Sequence, residues 1–583
     1  MEGYKNFGIG SIVWAYYLDK ADEEQIQRDI DYFKSFMPLN KAYLENHRGL
    51  VTVSQDKMRM AKRVFEKNGI KASGCITSTG LVNERRPSMF DTYCYSHEED
   101  RAEYLRIVEE LAEVVDEIIL DDYFFCSCRC EKCIEAKGNR TWAQYRLDLM
   151  EDFSRAITRK AKEVNPNMNF IIKYPNWYES WHENGYNPEK QRDIFDMVYS
   201  GTETRDAVYS QQHLQRYLSF SMVRHMENIA PGRCGGGWID PWGSEENMTR
   251  WIEQANLTLL AKARELMLFN FEEMTTNDVF PSLGNELIRI DNICGKLGTP
   301  VGIHTYMPFN GDGEDQLYTY LGMGGAAFDP TPDFDTNTAA VFCAQNASKD
   351  PDIMSKLEAY VRNGGQAVVT VGFMREQYDK GIKDMTSLRL TGKRITGSEF
   401  YINFHNHTNT IIADGHEDIT YEVLQYKTNA SWADVSVISG AYNVPVLSED
   451  NYGKGRLFIL NIPDNYADLY KLPAEVWAAI NKVLSGDREL YIASDKQVSL
   501  FAYDNGVYGI QTYTTRRADV RIYIKDECKG VVDVETGAEM LNVIPQPEPS
   551  RWFDGCTIMP EAKEYAVDLK MTGGRIKFVK VIR

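Results

Sequence analysis

No uninterrupted apolar run of about 18 residues occurs in the chain, so no segment is expected to cross a bilayer as a helix. The first residues carry no basic-then-apolar export signal, which favours a cytoplasmic protein, a periplasmic one requiring a leader ahead of Met1. Positive charge is in short supply. With 65 Lys and Arg against 85 Asp and Glu, a net charge of -20 and a pI near 5.1 argue against nucleic acid or an anionic membrane as partner. Cysteine is scarce outside one stretch: there are 11 in 583 residues, an odd number with four of them between positions 126 and 133. That pattern is no disulfide framework and fits a reducing compartment. No H-E-x-x-H or similar motif marks a catalytic metal, nothing implies an organic cofactor, and no internal repeat or low-complexity segment occurs.

What is present is a rhythm. Short apolar runs alternate with amphipathic ones through about 290 residues, with strands expected at Phe7 to Tyr16, Lys41 to Leu44, Ile70 to Thr77, Val114 to Leu120, 169 to 174, Asp196 to Gly201, Arg233 to Asp240 and Glu265 to Phe271. Eight such strand and helix units predict a (β/α)8 TIM barrel, whose chemistry sits at the C-terminal ends of its strands. From 291 to 488 an α/β pattern continues, with a helix in DPDIMSKLEAYVRNGG and a strand in QAVVTVGFM. From 489 short alternating segments predict an antiparallel β-sandwich domain. Cys343, in AVFCAQN, lacks the G-x-C-x-G elbow of a nucleophile.

The most informative stretch is VDEIILDDYFFCSCRCEKC, Val115 to Cys133. Its apolar run ends in Asp121 and Asp122, at the C-terminal end of the fourth strand. Cys126, Cys128, Cys130 and Cys133 follow as C-x-C-x-C-x2-C, a candidate closed thiolate set for a structural zinc that would pin the loop leaving the strand. The spacing is tighter than two C-x2-C knuckles, so Cys94, in the preceding loop, is an alternative to Cys126. The bland reading of either Asp is an N-cap or a loop salt bridge, and that of the cysteines is a group of reduced loop thiols.

On these residues the chain resembles glycoside hydrolase family 42, the β-galactosidases. There the fourth strand ends in a Leu/Thr-Asp-Asn-Glu-Tyr/Phe run before a zinc-binding C-x-C-x2-C, where this chain has Leu120-Asp121-Asp122-Tyr123-Phe124 and Cys128, Cys130 and Cys133. The resemblance implies a catalytic barrel (1–290), a degenerate glutamine-amidotransferase-like domain that builds a homotrimer (291–488) and a β-domain (489–583). It also implies an exo-acting glycosidase on a galactoside or related oligosaccharide. One departure is plain: the family's acid/base Glu falls on Tyr123 and its Asn on Asp122.

Hydrolysis of a glycoside needs two carboxyl groups astride one bond. The strand ends offer Glu45, Asp121, Asp122, Glu203, Asp240, Glu272 and Glu273. Family 42 would put the pair on strands four and seven, where only Asp122 and Asp240 stand. Barrels resembling α-galactosidases and α-glucosidases instead have an Asp nucleophile ending strand four and an acid/base after strand six, which implies Asp122 as nucleophile and Glu203 as general acid. Asp121, Asp240 and Glu273 are reserves. His47, Arg48, Lys173 and Tyr174 are candidates for substrate hydroxyls or an acidic sugar's carboxylate, and Trp177, Trp181, Trp238 and Trp242 for stacking walls. Two other readings remain open: a sugar lyase or isomerase using Lys173 as base or Schiff-base amine, and a non-catalytic carbohydrate-binding protein.

Overall fold

A computed structural model describes the chain from residue 3 onward, apart from 81–91, 178, 207, 209–213, 403–410, 547–549, 554–556 and 561–563. It divides into two compact units, Met1–Lys296 and Leu297–Arg583.

In the first unit, eight parallel strands close into a barrel: β1 (Gly8–Val13), β2 (Lys41–Arg48), β3 (Lys71–Ile76), β4 (Glu117–Leu120), β5 (Asn169–Tyr174), β6 (Met197–Gly201), β7 (Cys234–Ile239) and β8 (Glu265–Leu268). Closure is direct, since β1 pairs with both β2 and β8. The helices start where the sequence provides caps. Asp22 accepts from Gln25 N–H at the start of Glu23–Phe36, and Thr141 and Gln144 form a capping box at the start of Trp142–Val164. The strands match expectation within a few residues, with one consequence for the site. β2 runs on to Arg48, so Glu45 and His47 lie within the strand, and a bulge between them, where two residues of β2 pass one of β3, turns their side chains to different faces.

Side chains fill the barrel in layers. At the N-terminal end Lys41 bridges Glu117 (2.9 Å) and Glu265 (3.1 Å), and the Tyr43 and Tyr199 hydroxyls donate to Glu265. Above this plug Ile12, Cys75, Ile119, Ile171, Trp238 and Met267 pack as an apolar layer. Acids gather above that layer.

The three glycines of β7, Gly235, Gly236 and Gly237, allow close approach of neighbouring chain. A Cβ on Gly236 would lie 2.1 Å from the Glu265 carbonyl oxygen and 2.6 Å from the Tyr199 hydroxyl. The first of these is backbone and cannot swing aside. Gly236→Ala is therefore expected to cost about 2–4 kcal/mol of barrel stability, read as a lower urea midpoint, whereas Gly232→Ala, which meets nothing within 4 Å, acts only through its left-handed φ of 75° and costs less.

The second unit holds a nine-stranded sheet whose parallel part, Phe328–Thr331, Ile303–Tyr306, Ala340–Cys343, Gln366–Thr370 and Gly455–Leu460, is the α/β pattern read from the sequence. The expected strand QAVVTVGFM ends at Thr370, whose hydroxyl accepts from Phe373 N–H and starts a short helix. Four antiparallel strands extend the sheet, among them a long hairpin of Leu388–Ile402 with Ile411–Tyr426. A six-stranded and a four-stranded antiparallel sheet share one apolar core that includes Leu500, Ile510, Ile522 and Ile524, which makes the sandwich. Pro300–Val301 pairs with Tyr503 and Ala502, so the unit's first strand belongs to that sandwich.

Candidate active site

The site is built on one buried ammonium. Lys173, the inward-facing residue at the end of β5, lies 2.9 Å from Asp122, 3.4 Å from Glu203 and 3.6 Å from Asp121, with the Trp238 ring centroid 3.8 Å away. The three carboxylates are 3%, 1% and 3% exposed, respectively. Burial works against the lysine's charge, but the surrounding acids outweigh it and raise its pKa.

The two aspartates of the fourth strand differ. Asp121 takes a hydrogen bond from Arg48 (2.8 Å), another from the Thr77 hydroxyl (3.1 Å) and a third from Asp122 N–H (2.8 Å). Burial pushes its pKa up, yet Lys173 and Arg48 overcome that push and hold the carboxyl below its ordinary value. The Asp122 side chain accepts from Lys173 at 2.9 Å and is hydrogen-bonded to the Asp121 side chain. Burial, reinforced by Asp121 and Glu203, pushes it up to about 7. Glu203 follows β6 and keeps one oxygen on Lys173, while its Oε2 is buried without a hydrogen-bond partner among the described residues.

The other acids have different jobs. Glu45 is saturated by Ala15 N–H, Arg48 and the Thr77 hydroxyl, and so braces Arg48 against Asp121. Asp240 forms an ion pair with Arg205, whose guanidinium covers the Trp242 ring at 4.3 Å. Trp242 is 46% exposed. Glu273 is half-buried on the helix capped by Asn270, and burial raises its pKa. Glu272 on the same helix is exposed and does not join the buried group.

Several sequence candidates turn away from the pit, by strand alternation at Tyr174 and by the β2 bulge at His47. His47 contacts Thr52 and the Thr79 carbonyl, a packing role. Tyr174 donates to Gln191 and packs with Trp181 and Tyr186 on the outer side of β5. Trp181 is buried and donates to the Pro175 carbonyl, so it is no open wall. Trp238 is floor rather than wall, stacked on Phe269 beneath Lys173. Trp177 is half-buried, edge-on to Tyr123. Arg48 is held by Glu45 through Nε and by Asp121 through Nη2, so its charge is already paired within the site.

Three residues that sequence reasoning passed over belong here. The Trp14 indole N–H, after β1, and the Asn270 side-chain nitrogen, after β8, are buried without a hydrogen-bond partner among the described residues. They stand as donors at the same barrel end as the orphaned Glu203 oxygen. The Tyr186 hydroxyl donates to the Asp122 carbonyl (2.6 Å) and steadies that residue's backbone. Trp14 was within reach of the strand-end rule, since it closes the apolar run of β1. Asn270 and Tyr186 carry no such signal.

The cysteine set differs in one member. The thiol sulfurs of Cys94, Cys128, Cys130 and Cys133 lie within 4.8 Å of one another, so Cys94, the alternative, takes the place expected of Cys126. Cys126 is fully buried beside this set, its backbone N–H on the Asn184 carbonyl and its thiol donating to Cys133. Cys94 reaches the set because its loop precedes the helix Glu98–Ala112 and crosses the start of Glu131–Lys137.

Comparisons with known proteins agree with this architecture. Residues 1–284 match the family model of the probable glycosyl hydrolase catalytic domain, and residues 489–570 that of the probable glycosyl hydrolase C-terminal domain. The chain thus carries a glycosyl hydrolase catalytic domain together with the C-terminal domain of that class. An uncharacterised protein of Saccharolobus solfataricus is 28% identical over 294 residues, 46% of this chain and 48% of that one, so the match spans about half of each. Among solved structures, the β-galactosidase of Rahnella sp. R3 is 12% identical with a TM-score of 0.62, over 97% of this chain and 99% of that one. The β-galactosidase of Bacillus circulans is 11% identical with a TM-score of 0.63, over 99% of both. The exo-β-1,4-mannosidase Op5Man5 of an Opitutaceae bacterium is 10% identical with a TM-score of 0.53, over 83% of this chain and 97% of that one. At these identities the likeness is one of fold, and it extends over all domains of the β-galactosidases.

Proposed function

We propose that the protein is a retaining, exo-acting glycosidase for a neutral galactoside-type oligosaccharide, working as a homotrimer through Asp122 and Glu203. One observation carries this reading: a single ammonium spans the two carboxylates, at 2.9 and 3.4 Å. Those distances together cap the separation of the two contacting oxygens at about 6.3 Å, below the roughly 6.5–9.5 Å of inverting enzymes and compatible with the roughly 5–5.5 Å of retaining ones.

The division of roles follows from the electrostatics. The resemblance to α-galactosidase-type barrels placed the nucleophile on Asp122 and the acid on Glu203. With Asp122 pushed up to about 7, the reverse is favoured: Asp122 holds the proton for the leaving oxygen, and Glu203 attacks the anomeric carbon through Oε2, which no described residue hydrogen-bonds. Charge also restricts the substrate. Arg48, Lys173 and Arg205 are each paired with carboxylates, which leaves neutral donors, Trp14 and Asn270, for the sugar. That favours an uncharged glycone over a uronic acid. Lys173, kept protonated by three acids, is poorly suited to act as a base or Schiff-base amine, which weakens the lyase reading. Following an aryl glycoside by NMR at early times is expected to show a first-formed sugar with the configuration of the substrate. A first product of opposite configuration refutes the retaining assignment, and no turnover of any neutral aryl glycoside refutes the function.

A structural zinc on Cys94, Cys128, Cys130 and Cys133 completes the proposal. Thiolates about 2.3 Å from a tetrahedral ion stand roughly 3.8 Å apart. Sulfur separations of 3.8 Å (Cys94 to Cys130), 3.5 Å (Cys94 to Cys133) and 3.6 Å (Cys130 to Cys133) fit that geometry.

A further inference from the structure

Outside the barrel, the antiparallel end of the nine-stranded sheet carries an open cavity of about 500 Å³. It is lined by Tyr401, Tyr426, Asn429, Trp432, Ser436 and Asn443, with Lys427 at its edge. Strand pairing explains why these residues meet. Tyr401 stands directly opposite Ser436 on the neighbouring strand, so both side chains leave the same face. Tyr426 ends the long hairpin, and the loop after it delivers Asn429 and then Trp432, the first residue of the next strand.

Two features distinguish this face from ordinary surface. Trp432 and Tyr426 are each 40% exposed, so large aromatic area is left to solvent at the rim of a concavity. Apart from Lys427, the polar lining consists of carboxamides and hydroxyls, which donate and accept at once, and among the described residues it contains no carboxylate. The lysine is already spoken for, donating to the Lys383 carbonyl 3.1 Å away. Aromatic faces for the apolar side of a pyranose and amides for its hydroxyls form a sugar-recognition set, and a cavity of this volume is in the range of small-ligand sites.

We infer that this cavity is a second, non-catalytic carbohydrate-binding site, taking neutral pyranose units of an oligosaccharide or polysaccharide. It rests on the glycosidase reading only for its biological purpose, to hold a chain whose end is trimmed elsewhere. Its chemistry stands by itself.

Affinity electrophoresis of the full chain in gels containing a soluble galactan, a soluble mannan or acidic polygalacturonate tests it. Retardation by at least one neutral polymer is expected. Trp432→Ala is expected to weaken it at least tenfold with an unchanged melting temperature and with turnover of a small aryl glycoside within twofold of the parent, and Trp432→Phe to keep most of it. The inference is overturned if neither neutral polymer retards the protein, if Trp432→Ala is retarded as strongly as the parent, or if Trp432→Ala lowers the oligomeric mass in light scattering, since the face would then be an interface between copies. Retardation that depends on Trp432 in a protein without aryl glycosidase activity would uphold this site and sink the barrel assignment.

Discussion

Asp122→Ala and Glu203→Ala are each expected to lower kcat on an unactivated glycoside by about three to five orders of magnitude, at unchanged folding. Azide then separates the roles. Without Glu203 the face it attacked from is empty, and azide entering there displaces the leaving group once, which gives a glycosyl azide of inverted configuration. Without Asp122 the nucleophile still forms its covalent intermediate, most readily from an activated dinitrophenyl glycoside that needs no acid. Azide then takes the place of water on the opposite face, and two displacements give a retained product. The pH profile provides an independent check. Asp122 must be protonated to act as acid and has its pKa pushed up to about 7, so kcat/KM is expected to fall as pH rises through neutrality. Asp122→Ala should lose that alkaline limb on activated substrates, while Asp240→Ala, removing a partner of Arg205, should keep it. An inverted azide from Asp122→Ala with a retained one from Glu203→Ala restores the division of roles implied by the α-galactosidase-type resemblance. Near-normal kcat in either alanine variant removes that residue from the pair.

Much of the barrel was legible because its strands are buried on both faces and read as apolar runs of fixed length, separated by helices with visible caps such as Asp22 and Thr141. The acids at the strand ends were legible for the same reason. What a run cannot reveal is which way its last side chain points. Lys173 and Tyr174 are adjacent in sequence, but one closes the pit and the other packs against Gln191. Nor does sequence spacing show saturation: Arg48 looked available and is held by two carboxylates, whereas Glu203, expected as the general acid, keeps a buried oxygen with no hydrogen-bond partner among the described residues. The long hairpin from Leu388 to Tyr426 was missed because its strands are studded with charged, exposed residues and broken by register shifts, which blur the alternation a strand is recognised by. The non-proline cis bond between Phe269 and Asn270 leaves no trace in the sequence.

Purified without added metal, the protein is expected to carry about one zinc per chain, and Cys94→Ser to lose it while Cys126→Ser keeps it. The contrast tests the ligand set, because both cysteines adjoin Cys133 and the sequence motif alone favours neither. Cys94 lies in the loop between β3 and its helix, and the other three follow β4, so four bonds to one ion would tie two consecutive loops of the catalytic face. Without the tie, the thiols become ordinary buried cysteines. Their loops then rest on weaker contacts, such as the His97 ring on Cys130 at 3.4 Å and the Ser96 hydroxyl on Cys133 at 3.3 Å. Because the barrel's layers are complete without the loops, loss of metal should not unfold the protein as it does a zinc finger, where binding is worth roughly 10–16 kcal/mol. A fall of several degrees in Tm is expected instead, with reduced turnover, since the segment that starts at Asp121 ends on Cys133. Elemental analysis with thermal melting decides. Parental zinc in Cys94→Ser would transfer the fourth ligand to Cys126, and a parent protein free of thiolate-bound metal would leave the four sulfurs as packing.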